Sequence, residues 1–143
     1  MPHPRPRILI VDNDVDNREM LPVWLDRGQD VYEIVTAASC REARDLIVAR
    51  RFDIYILDYL MPEMSGADFS RMVRNLDPNG AIIIYSGMGN ERVRRECGQA
   101  GADIFLLKPD VLDLMIPAVN HFLSQRERAP ITEFGSRSAD EPI

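Results

Sequence analysis

Five short apolar runs punctuate the chain at nearly even intervals: RILIV (7–11), VYEIVTA (31–37), DIYIL (53–57), AIIIY (81–85) and DIFLL (103–107). Each is strand-length, rich in Ile, Val and Leu, and followed by a stretch with helical spacing. The first such stretch, 15–27, places Val15, Met20, Val23 and Trp24 at helical intervals, with Asp14 or Asp16 as N-cap and Gly28 after its end. Pro22 inside it is expected to kink the helix or displace its start. Ser39 with Glu42 forms a capping box opening a helix through Arg51. Gly66 to Leu76 reads as a third helix, closed by Asp77-Pro78-Asn79-Gly80, and Asn90 to Gln99 as a fourth. The last, 111–123, contains Pro117 and is expected to begin late for that reason. Strands that alternate strictly with helices form a parallel sheet covered on both faces, joined by right-handed crossovers. Continuous aliphatic runs suit strands buried on both sides.

At 143 residues, 45% apolar and 28% charged, the chain fits one globular domain. We divide it into an N-terminal arm (1–6), a domain (7–124) and a polar, aperiodic tail (125–143) expected to be disordered. The net charge of -6 argues against binding nucleic acid by phosphate neutralisation. No apolar run approaches the roughly 20 residues of a membrane span, and the MPHPRPR start lacks a signal core, so a cytoplasmic location is expected. Cys40 and Cys97 lie far apart and read as reduced packing residues. Neither His3 nor His121 has neighbours at zinc spacing.

In an open α/β sheet the ligand crevice lies beyond the carboxyl ends of the strands. Four of the five runs deliver polar groups there: Asp12-Asn13-Asp14, Asp58, Ser86 and Lys108. Lys108 is the only lysine, against sixteen arginines. Acids crowded at one rim oppose each other's ionisation unless a cation neutralises them, and with no soft ligands nearby the natural partner is Mg2+. A lysine is a point charge suited to phosphate, and a serine hydroxyl can bond a phosphoryl oxygen. Carboxylate, Mg2+, lysine and hydroxyl together make a phosphoryl-transfer set in which an aspartate becomes an aspartyl phosphate.

The motifs ILIVDND, ILDYLMPEMSG, IIIYSG and AGADIFLLKP, in this order from about Arg7 to Leu123, resemble the response-regulator receiver domains of two-component signalling. The resemblance implies a doubly wound, flavodoxin-like (CheY-like) α/β fold with strand order 2-1-3-4-5. By position, Asp58 resembles the phosphoacceptor, Lys108 the lysine that pairs with the phosphoryl group, and Ser86 and Phe105 the switch residues. Asp12, Asn13, Asp58 and the Leu60 backbone carbonyl resemble the Mg2+ ligands. The implied function is a phosphorylation-dependent switch that takes its phosphoryl group from a sensor histidine kinase or histidine phosphotransfer protein. Its output is a changed binding face on the fourth helix, fifth strand and fifth helix, read by a downstream protein or by a second copy in a homodimer. It acts on no substrate other than its own phosphorylation state, and with no effector segment after Leu123 it is expected to stand alone.

Three departures matter. Asn13 replaces the second acid of the metal pair, which should weaken Mg2+ binding; Asp14 could compensate, although a helix N-cap is its simpler role. Asp110 stands where the family often has an aromatic residue. Leu60 and Met88 flank the site with apolar side chains. The Arg92, Arg94 and Arg95 cluster reads as a solvated helix face that could also dock a partner. Two other readings compete. A pseudo-receiver would use the fold as an interaction module without phosphorylation. A haloacid-dehalogenase-like phosphatase would use Asp12 as nucleophile, but leaves LDYLMPEMSG unexplained.

Overall fold

The computed structural model describes residues 5–108 and 111–128. Ten elements alternate: β1 (Arg7–Val11), α1 (Val15–Asp26), β2 (Glu33–Ala37), α2 (Cys40–Ala49), β3 (Ile54–Asp58), α3 (Gly66–Leu76), β4 (Ala81–Ser86), α4 (Glu91–Gln99), β5 (Ile104–Leu107) and α5 (Val111–Arg128). The five strands form one parallel sheet in the order β2-β1-β3-β4-β5, the doubly wound arrangement expected from the sequence.

Strand residues two apart point to the same face, and this divides the core in two. Leu9, Val11, Tyr55, Leu57, Ile82 and Ile84 pack beneath α2, α3 and α4. Ile8, Ile10, Ile54, Ile56, Ile83, Tyr85 and Leu106 pack beneath α1 and α5. Continuous aliphatic runs are thus explained by burial on both faces. Helix starts follow their caps: the side chains of Asp14, Ser39, Ser65 and Asn90 accept from the amides of Asp16, Glu42, Asp68 and Val93.

Several boundaries differ from expectation. β2 opens at Glu33, because the Val31 and Tyr32 amides donate to the Asp26 carboxylate instead of joining the ladder. α2 stops at Ala49, with Arg50 extended, so it does not reach Arg51. Pro22 leaves the start of α1 at Val15, set by Asp14. α5 begins at Val111, so Pro117 sits inside it rather than near a delayed start. Pro117 and Asp113 are both exposed, so the carbonyl that the missing N–H leaves free lies on the solvent side. Residues 125–128, assigned by sequence to an unstructured tail, complete α5. The remainder of that tail (129–143), most of the N-terminal arm (1–4) and Asp110 lie outside the described residues.

Among the described residues no helix is long and apolar enough to cross a membrane.

Candidate functional site

Side-chain alternation carries one face of the sheet directly into polar chemistry. Beyond Ile8 and Ile10 comes Asp12; Ile54 and Ile56 lead to Asp58; Ile83 leads to Tyr85; Ile104 and Leu106 lead to Lys108. All four stand at the carboxyl ends of neighbouring strands with the parity of the α1/α5 face. Ser86 and Phe105 have the opposite parity, toward α3 and α4.

Asp12 is fully buried. Its Oδ1 accepts from the Asp14 amide at 2.9 Å, and its Oδ2 accepts from Asn17 Nδ2 at 2.9 Å and from the Tyr85 hydroxyl. Its carbonyl accepts from the Arg18 guanidinium at 2.8 Å. Asp58 is 6% exposed. Its Oδ1 lies 3.8 Å from Lys108 Nζ and accepts from the Leu60 amide at 3.3 Å. Burial, and then the charge of Asp12, raise the Asp58 pKa to about 6, against the opposing pull of Lys108 and the Leu60 amide.

The crowding of two buried acids, with the charge of Asp12 raising Asp58, is the test of whether a cation suits the site. A divalent ion would neutralise both acids. The available donors (the carboxylates of Asp12 and Asp58, the Asn13 amide and the Leu60 carbonyl) are hard oxygens that match Mg2+. Among the described residues no three His, Cys, Asp or Glu side chains gather as a metal site. A cation held by Asp12 and Asp58 would need further oxygen donors from elsewhere to complete its coordination. Asn13 is exposed, as is Leu60. Asp14 serves as the N-cap of α1.

Lys108 is anchored by its backbone as well as its charge: its amide donates to the Ser86 carbonyl at 2.7 Å, and its ammonium lies 4.9 Å from the Tyr85 ring centroid. The buried Ser86 hydroxyl accepts from the Met88 amide at 2.9 Å, so here it supports the turn leading toward α4. Phe105 is half-buried against the α3/α4 core, with the Arg94 guanidinium 5.0 Å from its ring centroid. Met88 is partly exposed beside the site. Behind Asp58 the chain turns tightly. The Gly66 amide donates to the Tyr59 carbonyl at 2.7 Å, and a Cβ on Gly66 would lie 2.6 Å from the Asp58 carbonyl oxygen. Only glycine allows α3 to begin this close to the strand end.

The structure thus brings together Asp12, Asp58 and Lys108, sets Ser86 and Phe105 toward the other face, and leaves Asn13 at the rim. It adds Tyr85, Asn17 and Arg18, which the sequence reading did not single out. The signal for Tyr85 was its parity with Asp58 and Lys108 in an otherwise isoleucine run.

Residues 8–120 match the family described as response regulator receiver domain. The chain is 35% identical over 115 residues to the chemotaxis protein CheY of Thermotoga maritima, an alignment covering 80% of this chain and 94% of that one. It is 33% identical over 104 residues to the phosphate regulon transcriptional regulatory protein PhoB of Pseudomonas aeruginosa, where 71% of this chain covers 44% of a longer protein. The CheY-like receiver domain protein of Methanospirillum hungatei JF-1 superposes with a TM-score of 0.81 at 24% identity, over 89% of this chain and all of that one.

Proposed function

The chain belongs to the response regulator receiver domain family, phosphorylation-dependent signalling switches, and we propose that Asp58 is its phosphoryl acceptor. The observation that carries this reading is the position of the Asp58 carboxyl. It is held between an ammonium at 3.8 Å and a second acid, at the end of a central strand.

The chemistry follows from the surroundings of each group. An Asp58 oxygen attacks phosphorus on a phosphohistidine donor; the P–N bond breaks, its electron pair returns to the imidazole, and an acyl phosphate forms. Lys108 offsets negative charge on the phosphoryl oxygens at the moment of transfer. Asp12, Asn13, Asp58 and the Leu60 carbonyl would hold Mg2+, which when bound supplies neutralising charge for the acids and the incoming group. Asp12 is a poor nucleophile, since it is fully buried and both its oxygens already accept hydrogen bonds. This weighs against the phosphatase reading.

After transfer, Ser86 exchanges its turn bond for one to the phosphoryl group, and Phe105 repacks beneath α4. The change is a shift between two states of the α4–β5–α5 face. The donor is a sensor histidine kinase or a histidine phosphotransfer protein, and the output is binding to a downstream protein.

The test is intact-mass measurement after incubation with acetyl phosphate and Mg2+. One phosphoryl group should add to the wild type and none to Asp58→Asn, with peptide mapping placing it on Asp58. An adduct on Asp12, or one that survives Asp58→Asn, overturns the proposal; no adduct from any phosphodonor would leave the pseudo-receiver reading, which Asn13 favours.

A further inference from the structure

We propose that Tyr85 is the positioning residue of this site: its hydroxyl aims the Asp12 carboxylate at the cation, and its ring face carries the Lys108 ammonium toward Asp58. The inference rests on the roles given above to Asp12, Asp58 and Lys108, and deepens them.

Tyr85 stands between Asp58 on β3 and Leu106 on β5 in the sheet register. Its side chain has the same parity as Asp58, on the α1/α5 face, and it is almost completely buried. Asp12 follows β1, two strands away from β4. Strands lie about 4.8 Å apart, so the phenol must pass beneath Asp58 to reach it. The hydroxyl does reach it, donating to Asp12 Oδ2. The same oxygen accepts from Asn17 Nδ2 at 2.9 Å, while Oδ1 accepts from the Asp14 amide at 2.9 Å. Three donors therefore fix the carboxylate plane.

On its upper side the Tyr85 ring faces Lys108 Nζ, 4.9 Å from the centroid, and that ammonium lies 3.8 Å from Asp58 Oδ1. A flexible lysine gains a preferred resting place on the electron-rich face of an aromatic ring. One buried residue thus forms a floor touching both the acid that binds the cation and the cation that meets the phosphoryl group. Packing alone does not require the hydroxyl, because phenylalanine would fill the same volume. Burying a phenol is favourable only where its O–H finds a partner, and here that partner is the functional carboxylate. Hydrogen-bond partners that orient a metal-binding group set its affinity.

The experiment compares wild type, Tyr85→Phe and Tyr85→Leu by calorimetric titration with Mg2+ alone, then by phosphorylation with acetyl phosphate over a range of Mg2+ concentrations. Thermal melting without metal checks that each variant folds. Tyr85→Phe should weaken Mg2+ binding about tenfold, with the defect in half-saturating Mg2+ rather than in the rate at saturation. Tyr85→Leu, which also removes the ring, should in addition lower the saturated rate about fivefold. Asn17→Ala, which removes another donor from the same Asp12 oxygen, should reproduce the affinity loss alone and serves if the Tyr85 variants fail to fold. Unchanged Mg2+ affinity in Tyr85→Phe, or in Asn17→Ala if that is the variant in hand, overturns the inference while the proposed function stands. If the wild type itself takes up no Mg2+, the metal-site reading fails and the role of Tyr85 fails with it.

Discussion

Replacing Asp58 by Asn, which is predicted to abolish phosphorylation, should make the metal-free protein more stable. Asp58 and Asp12 share a buried site, and the folded state holds a proton on Asp58 up to about pH 6, above the ordinary carboxylate value of 3.8. The sign follows from linkage. The folded protein binds this proton more tightly than the unfolded chain, so the stabilisation it brings is complete below about pH 4. It is lost as pH rises toward 6, and at pH 8 the full penalty of the ionised pair remains. A tenfold change in proton affinity corresponds to about 1.4 kcal/mol. Because Lys108 offsets part of the repulsion, the penalty is about 1 to 3 kcal/mol.

Asparagine is nearly isosteric and carries no charge. In EDTA at pH 8 the variant should melt roughly 3 to 10 °C above the wild type. The gap should close at pH 4, where Asp58 is protonated. Millimolar Mg2+ should raise the melting temperature of the wild type more than that of the variant, because the ion neutralises a buried carboxylate that the variant lacks. Calorimetry at the two pH values, with and without Mg2+, measures all of this. A variant no more stable than the wild type at pH 8, or a gap independent of pH, would refute strain between the acids at this site.

Asn13→Asp, which restores a second charge at the metal pair, should tighten Mg2+ binding about tenfold by calorimetric titration; no gain would mean that residue 13 does not reach the ion. Gly66→Ala should cost about 1 to 3 kcal/mol in urea unfolding, because its Cβ would lie 2.6 Å from the Asp58 carbonyl and 2.8 Å from the Tyr59 Cα, and backbone cannot step aside as a flexible side chain can. Burial pushes the Cys40 thiol up to about 12 and the Cys97 thiol to about 11. Both should resist iodoacetamide at pH 8 in the native protein and react once it is unfolded; mass spectrometry counts the adducts, and rapid labelling of native protein would contradict the packing.

The fold was legible because its signals are local and repeated. Aliphatic runs mark the strands, and Asp14, Ser39, Ser65 and Asn90 cap four of the helices. The strand-end residues Asp12, Asp58 and Lys108 could be assembled because a parallel sheet delivers all its carboxyl ends to one rim. What remained hidden depends on contacts distant in sequence. The start of β2 is decided by the Asp26 carboxylate, which takes two amides that strand propensity would have assigned to the ladder. Tyr85 reads as another core aromatic until its hydroxyl is seen to meet Asp12, seventy-three residues away. Pro117 misled because helix rules weigh the lost hydrogen bond, while on an exposed face water can take the freed carbonyl.

Side-chain parity also constrains how a signal could travel. Asp12, Asp58, Tyr85 and Lys108 share the α1/α5 side, whereas Phe105 and α4 lie on the other. Charge arriving at Asp58 therefore cannot reach Phe105 by packing through one layer; it must pass the sheet at a residue that both sides engage. Ser86 engages both sides. Its carbonyl holds the Lys108 amide, and its hydroxyl holds the Met88 amide in the segment leading to α4. Under the proposed function, drawing the hydroxyl toward a phosphoryl group would break the Met88 bond and leave that segment free to move, loosening the Arg94 contact over Phe105. Ser86→Ala should then leave acetyl-phosphate labelling of Asp58 largely intact. Phosphorylation should no longer change the amide exchange of residues 87–99, although it does so in the wild type. If that change persisted in Ser86→Ala, the crossing point would lie elsewhere in the sheet.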